Sequence, residues 1–107
     1  MASLVRKLTQ FTKKEIDHLW KSAHPALKHG GFLLLKAPKS GTIGRILIVL
    51  PKKVGSAPQR NKVRRQVKSI FYEDKIYTKE YDWIFFARPP VTELPFQELQ
   101  SLLRSVI

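Results

Sequence analysis

Apolar residues recur along this chain at two spacings, and the changes between them mark out the elements. Ile16, Leu19 and Trp20 follow Thr12-Lys13-Lys14-Glu15 at helical spacing. That tetrapeptide has the form of a capping box, in which a threonine hydroxyl and a glutamate carboxylate satisfy the free amides of a first turn. The pattern predicts a helix from there to about Ser22. Pro25 and the Gly30-Gly31 pair then predict a loop. Residues 32–36 read as a strand, 38–41 as a turn and 44–50 as a second strand. The unbroken apolar run of the second strand suggests burial on both faces.

Ser56-Ala57-Pro58-Gln59 is another capping box, with proline tolerated where first-turn amides lack partners anyway. It predicts a second helix running to about Tyr72. Val63, Val67 and Ile70 share one side of that helix, with Phe71 at its margin. Asn61, Arg64, Arg65 and Lys68 occupy the opposite arc, and Arg60 lies at the boundary. Residues 81–87 are dense in aromatic and β-branched side chains and read as a strand ended by Arg88-Pro89-Pro90. Pro95 opens a last helix whose stripe is Phe96, Leu99, Leu103 and Val106. The order is helix, two or three strands, helix, strand, helix. It predicts an α+β fold, a small two-layer sandwich with helices packed on a mixed central sheet.

At 107 residues the chain suits one domain spanning 1–107, and 43% hydrophobic content supports a core. Cysteine is absent, which excludes disulfides and thiolate metal sites. No apolar run approaches the length needed to span a bilayer. A soluble, cytoplasmic protein without membrane or small-molecule partners is the expectation.

Charge changes this picture most. The net value is +12, and residues 18–72 contain no Asp or Glu but twelve Lys and Arg. The rest of the chain is neutral. A one-signed surface repels itself, and a polyanionic partner is the simplest reason to keep it. Phosphate backbone fits best. The basic helix adds a second argument, because a merely solvated face usually mixes Glu with Lys or Arg at i, i+4, and here it does not. Arginine can grip phosphate bidentately and asparagine can bond sugar or base edges.

Candidate catalytic chemistry is thin. His18, His24 and His29 show no metal-ligand spacing, and Asp17, Glu73, Asp74 and Asp82 are scattered or flank helix ends. No glycine-rich loop precedes a helix in phosphate-cradling form. The expectation is a chain with no catalytic residues and no bound cofactor of its own.

Pro51-Lys52-Lys53-Val54-Gly55-Ser56-Ala57 followed by Arg60-Asn61-Lys62-Val63-Arg64-Arg65 resembles the signature of the ribonuclease P protein component family. Asp82-Trp83-Ile84-Phe85-Phe86-Ala87-Arg88-Pro89 is similar to the family's later strand and its exit, and residues 8–21 to its N-terminal helix. The resemblance implies a left-handed β-α-β crossover holding the Arg-Asn helix, where the general rule would give a right-handed one. It implies a division of labour in which the RNA subunit supplies the catalytic groups and holds Mg²⁺. The protein would then shape that RNA and bind the single-stranded 5′ leader of precursor tRNA.

Carried over by position, Arg60, Asn61, Lys62, Arg64, Arg65 and Lys68 would contact the RNA subunit, and Lys52 and Lys53 would add backbone contacts. The leader cleft would lie between the first helix and the sheet, with Ile16, Trp20, Phe32 and Leu35 in it. Stacking on aromatic faces suits many different leaders. Trp20 and Phe32 are equally compatible with core positions. Leu47, Val49 and Pro51 stand where the family usually has Gly, Ser and Ser, and Ile16 and Leu35 where aromatic residues are common. These changes remove hydroxyls and stacking faces from the cleft. The alternative is a ribosomal-type structural RNA-binding protein, which accounts for the basic block but not for both signatures together.

Overall fold

The structure is a computed structural model that describes residues 2–106. Its elements are α1 (Ala2–Lys7), α2 (Lys13–Ser22), β1 (His24–Lys28), β2 (Phe32–Pro38), β3 (Ile46–Val49), α3 (Ala57–Glu73), β4 (Tyr81–Ala87) and α4 (Phe96–Arg104). Short 3-10 segments stand at Lys52–Val54, Ile76–Thr78 and Pro89–Glu93. The fold is α+β, with one mixed four-stranded sheet in the order β1-β2-β4-β3. β1 and β4 flank β2 antiparallel, and β3 runs parallel to β4, so α3 forms the crossover between two adjacent parallel strands.

Both capping boxes form. Glu15 N donates to Thr12 Oγ1 at 3.2 Å and Thr12 N to Glu15 Oε1 at 2.8 Å. Gln59 N donates to Ser56 Oγ at 3.3 Å and Ser56 N to Gln59 Oε1 at 2.8 Å. Each box satisfies two otherwise unpaired amides and fixes where its helix starts.

Two expectations are corrected. The stretch after α2 is not only a loop, because β1 forms there and pairs with β2 around Gly30-Gly31. Pro25 fits because β1 is an edge strand with a register shift between Pro25 and Leu27, so its missing amide interrupts no inner ladder. β3 is also not buried on both faces: only Ile46 is buried, and Leu47, Ile48 and Val49 are half-buried. It too lies at a sheet edge, beside a face that α2 covers only in part.

Strand alternation sends side chains to two unequal layers. Phe32, Leu34, Ile46, Trp83, Phe85 and Ala87 point to the main core, where they meet Val63, Val67, Ile70 and Phe71 of α3 and Leu99 and Leu103 of α4. On the other face Leu35, Ala37 and Ile84 form a smaller cluster under Leu19 of α2, with Leu33, Leu47, Val49 and Phe11 packed around it. The thick layer anchors α3 so that its opposite side faces solvent. The thin layer leaves part of the sheet uncovered.

Candidate nucleic-acid interface

Burial of Val63 and Val67 determines what α3 presents outward. Asn61, Arg64, Arg65 and Lys68 follow at i, i+3, i+4 and i+7, forming one stripe on the side away from the sheet. Asn61, Lys62 and Arg65 are exposed, and Arg60, Arg64 and Lys68 are half-exposed. Arg64 Nη1 donates to Asn61 Oδ1 at 2.7 Å, which holds the guanidinium along the helix face. Arg60 Nε donates to Gly55 O at 3.2 Å and keeps that side chain beside the helix start.

Among the described residues the ion pairs are Lys39–Glu80, Arg45–Glu15 and Arg104–Asp74, so no cation of α3 is neutralised by a carboxylate. The stripe is a line of uncompensated positive charge on a rigid element.

Lys52 and Lys53 extend this charge toward the sheet. They sit on the 3-10 turn before α3, both exposed, while Val54 of the same turn is buried and fixes it to the core. Gly55 leaves room for the capping box, since a Cβ there would lie 2.5 Å from Gln59 Oε1. The Lys-Lys turn, the glycine and the Arg-Asn helix thus form one continuous basic edge.

The face under α2 holds the second candidate site. Trp20 is 41% exposed and meets Phe86 edge-on, with ring centroids 6.2 Å apart. Ile16 is half-buried, while Leu35 is buried beneath Leu19. Phe32 is not in this cleft. Its side chain is fully buried in the main core, stacked on Phe85 at 4.8 Å and on His29 at 5.2 Å. Phe32 and Leu35 are three residues apart on one strand, so they must point to opposite faces.

Parity also identifies cleft residues that spacing alone does not. Leu33 pairs with Phe86, and Phe86 with Val49, so these three share one cross-strand row on the open face. Leu35, Ile84 and Leu47 form the next row inward.

One polar assembly fixes α2 against the sheet. Arg45 Nη2 donates to Glu15 Oε2 at 2.9 Å, Nη1 to Gln10 O at 2.8 Å, and the guanidinium lies 4.4 Å over the Phe11 ring. The Arg45 bond, together with the capping-box amide, holds the Glu15 carboxyl down at about 2. Arg45 N donates to buried Asp82 Oδ1 at 2.9 Å, and Ser40 N and Oγ donate to Asp82 Oδ2, each at 3.2 Å. Asp82, which reads as a scattered acid in the sequence, ties the 40–45 loop to β4. An isolated buried carboxylate gives no hint from sequence of the amides that will surround it.

No group of three or more His, Asp or Glu side chains capable of holding a metal occurs among the described residues. No helix of the described residues is long and apolar enough to cross a membrane.

Comparison with known proteins places this arrangement. The Ribonuclease P family model matches residues 6–107. The ribonuclease P protein component of Bacillus pumilus is 36% identical over 61 residues, 56% of this chain. The chain spans 51% of the length of that relative and 58% of a Streptococcus agalactiae one. The Lactococcus lactis subsp. cremoris protein component is 28% identical over 94 residues, covering 88% of this chain and 80% of the relative. Among solved structures, the Staphylococcus aureus RNase P protein superposes with a TM-score of 0.77 at 23% identity, covering 92% of this chain and 91% of that one. The Thermotoga maritima RNase P protein gives 0.76 at 24% identity, covering 91% and 92%. These superpositions show the same α+β fold, and the family match covers both the Lys-Lys turn and the basic helix. The chain belongs to the ribonuclease P protein family.

Proposed function

We propose that this chain is the protein subunit of a ribonuclease P holoenzyme, in which it binds the catalytic RNA and the 5′ leader of precursor tRNA. The observation that carries the reading is the α3 stripe of Asn61, Arg64, Arg65 and Lys68, which has no carboxylate partner among the described residues. Such a stripe gains by meeting a phosphate backbone, with release of condensed counterions and strong salt dependence. Lys52, Lys53, Arg60 and Lys62 widen the same contact.

The cleft beside Trp20 takes the leader. Holding that strand adds binding energy available to the precursor and not to the matured product, which favours turnover. The chemistry belongs to the RNA subunit and the Mg²⁺ it holds. The protein's charge offsets repulsion between RNA and substrate, so less Mg²⁺ is needed for the same assembly.

The test compares precursor-tRNA cleavage at low Mg²⁺ by a bacterial ribonuclease P RNA alone, by this protein alone and by the two together. Efficient cutting at the mature 5′ end by the mixture only is the expected result. Tight RNA binding with no gain in cleavage overturns the reading in favour of a ribosomal-type RNA-binding protein.

A further inference from the structure

The open row on the α2 face has an unusual composition for a surface that binds a polar strand. From β2 across β4 to β3 it runs Leu33, Phe86, Val49, and behind it lie Leu35, Ile84 and Leu47. Its wall is Ile16, Leu19 and Trp20 of α2. No side chain of the floor carries a hydrogen-bonding atom. The backbone groups of β2 and β4 beneath it are taken up by the sheet ladders. Such a floor can accept base faces, but it cannot hydrogen-bond a ribose 2′-hydroxyl or a base edge.

Along this row charge stands at the two ends. Lys28 pairs with Leu33 in register, so it continues the row at the β1 edge, and it is exposed. Beyond Val49 at the other edge the chain turns through Pro51 to exposed Lys52 and Lys53. Four strands at the usual spacing put the β1 and β3 backbones about 14 Å apart. A strand lying across the row would set its bases on Phe86, Trp20 and the aliphatic floor, and its phosphates at the lysines.

We infer that this cleft takes unpaired nucleic acid without regard to the sugar, so that it binds a DNA leader as well as an RNA leader. The inference rests on the leader-binding reading above and specifies its ligand class. Proteins tell RNA from DNA through the 2′-hydroxyl, and the side chains of the row offer nothing to read it. Of the wall residues Ile16, Leu19 and Trp20, only Trp20 carries a donor, an indole N–H on the ring that would stack on a base. Stacking on aromatic faces tolerates any base.

The experiment uses the reconstituted holoenzyme under conditions that block cleavage, and measures affinity for four substrates. These are a precursor tRNA with an RNA leader, one whose leader is DNA beyond the nucleotide next to the scissile bond, one with an abasic leader, and a leaderless tRNA. The DNA leader is expected to bind within about twofold of RNA, a change too small for a lost hydrogen bond. The abasic leader is expected to lose about tenfold or more, the scale of one lost base–aromatic stack. Trp20→Ala is expected to weaken the RNA and DNA leaders equally.

A DNA leader about tenfold weaker than RNA overturns the inference while leaving leader binding intact, because a direct sugar contact then exists. Full binding of the abasic leader also overturns it, because the row is then not what holds the strand. Equal affinity for leaderless and leader-bearing tRNA overturns leader binding itself, and this inference with it.

Discussion

Arg45 and Glu15 form a direct charge-assisted pair that joins the first turn of α2 to the loop entering β3. Through it one wall of the proposed leader cleft is tied to the sheet that forms its floor. The Glu15 carboxyl is held down to about 2 from an ordinary 4.5, chiefly by the Arg45 bond. A carboxyl whose value is lowered by folding contributes stability that is complete above its unfolded value and fades as pH falls toward its folded one. The expected window of loss is therefore from about 4.5 down to about 2. Asp74 acts in the same sense, its carboxyl held low by a two-pronged bond from Arg104, with both contacts at 2.8 Å. Thermal midpoints recorded across that window should fall for the native chain and fall less steeply for Glu15→Gln, which has no charge to lose. Parallel curves for the two proteins would remove the pair from the account.

Trp20 and Phe32 look alike in the sequence as aromatic candidates for the cleft, and the fold separates them. Phe32 is wholly buried between Phe85 and His29, so Phe32→Ala should cost about 3–5 kcal/mol in urea unfolding. Trp20 is 41% exposed with one edge contact to Phe86, so Trp20→Ala should cost only about 1 kcal/mol. Its effect should appear in precursor-tRNA affinity instead. A Trp20 variant that unfolds as readily as the Phe32 variant would show Trp20 to be a core residue.

What the residue order reveals follows from how local each signal is. The two capping boxes and the strand at 81–87 depend on neighbours within a few positions, and they form where the pattern puts them. The basic stripe follows from helical period plus the apolar residues opposite. The sequence leaves a third strand before α3 open but does not place β1, because proline and glycine signals outweigh a short edge strand that exists only by pairing with β2. α1 is short, with few residues on which a helical period could register. The misplacement of Phe32 has a different origin, since strand parity already puts Phe32 and Leu35 on opposite faces. Leu33 and Phe86 become cleft residues only once β4 is known to lie between β2 and β3, and that order is a long-range fact.

Gly44 marks a place where the chain has no room. Its N–H donates to Tyr77 O at 2.9 Å, and a Cβ would overlap the backbone carbonyl oxygen of Tyr81. A backbone atom of the central sheet cannot swing aside as a side-chain end can. Gly44→Ala should therefore destabilise by about 1–3 kcal/mol, the usual range for forcing extra volume into a packed site. Gly41→Ala, with nothing near its Cβ, is the matched control and should leave the urea midpoint nearly unchanged. Similar losses for both glycines would remove crowding at Gly44 as the cause, since the entropy effect of replacing glycine favours the folded state.

The α3 stripe predicts a graded loss of RNA affinity with little change in folding. Arg64→Ala and Arg65→Ala should each weaken binding to the RNA subunit by about 1–3 kcal/mol, the scale of a lost charge-assisted bond. Each should also lower the slope of affinity against salt by about one, because one fewer phosphate is neutralised. Asn61→Ala should do less, since its described role is to orient Arg64 through the 2.7 Å bond and it carries no charge. The Asn61→Ala, Arg64→Ala double variant should then be no weaker than Arg64→Ala alone, because a positioning residue has no effect once the group it positions is gone. A double variant whose loss equals both single losses together would mean that Asn61 touches the RNA itself. Titrations of the four proteins against the RNA subunit over a range of salt concentrations distinguish these outcomes, with thermal midpoints checking that each variant remains folded.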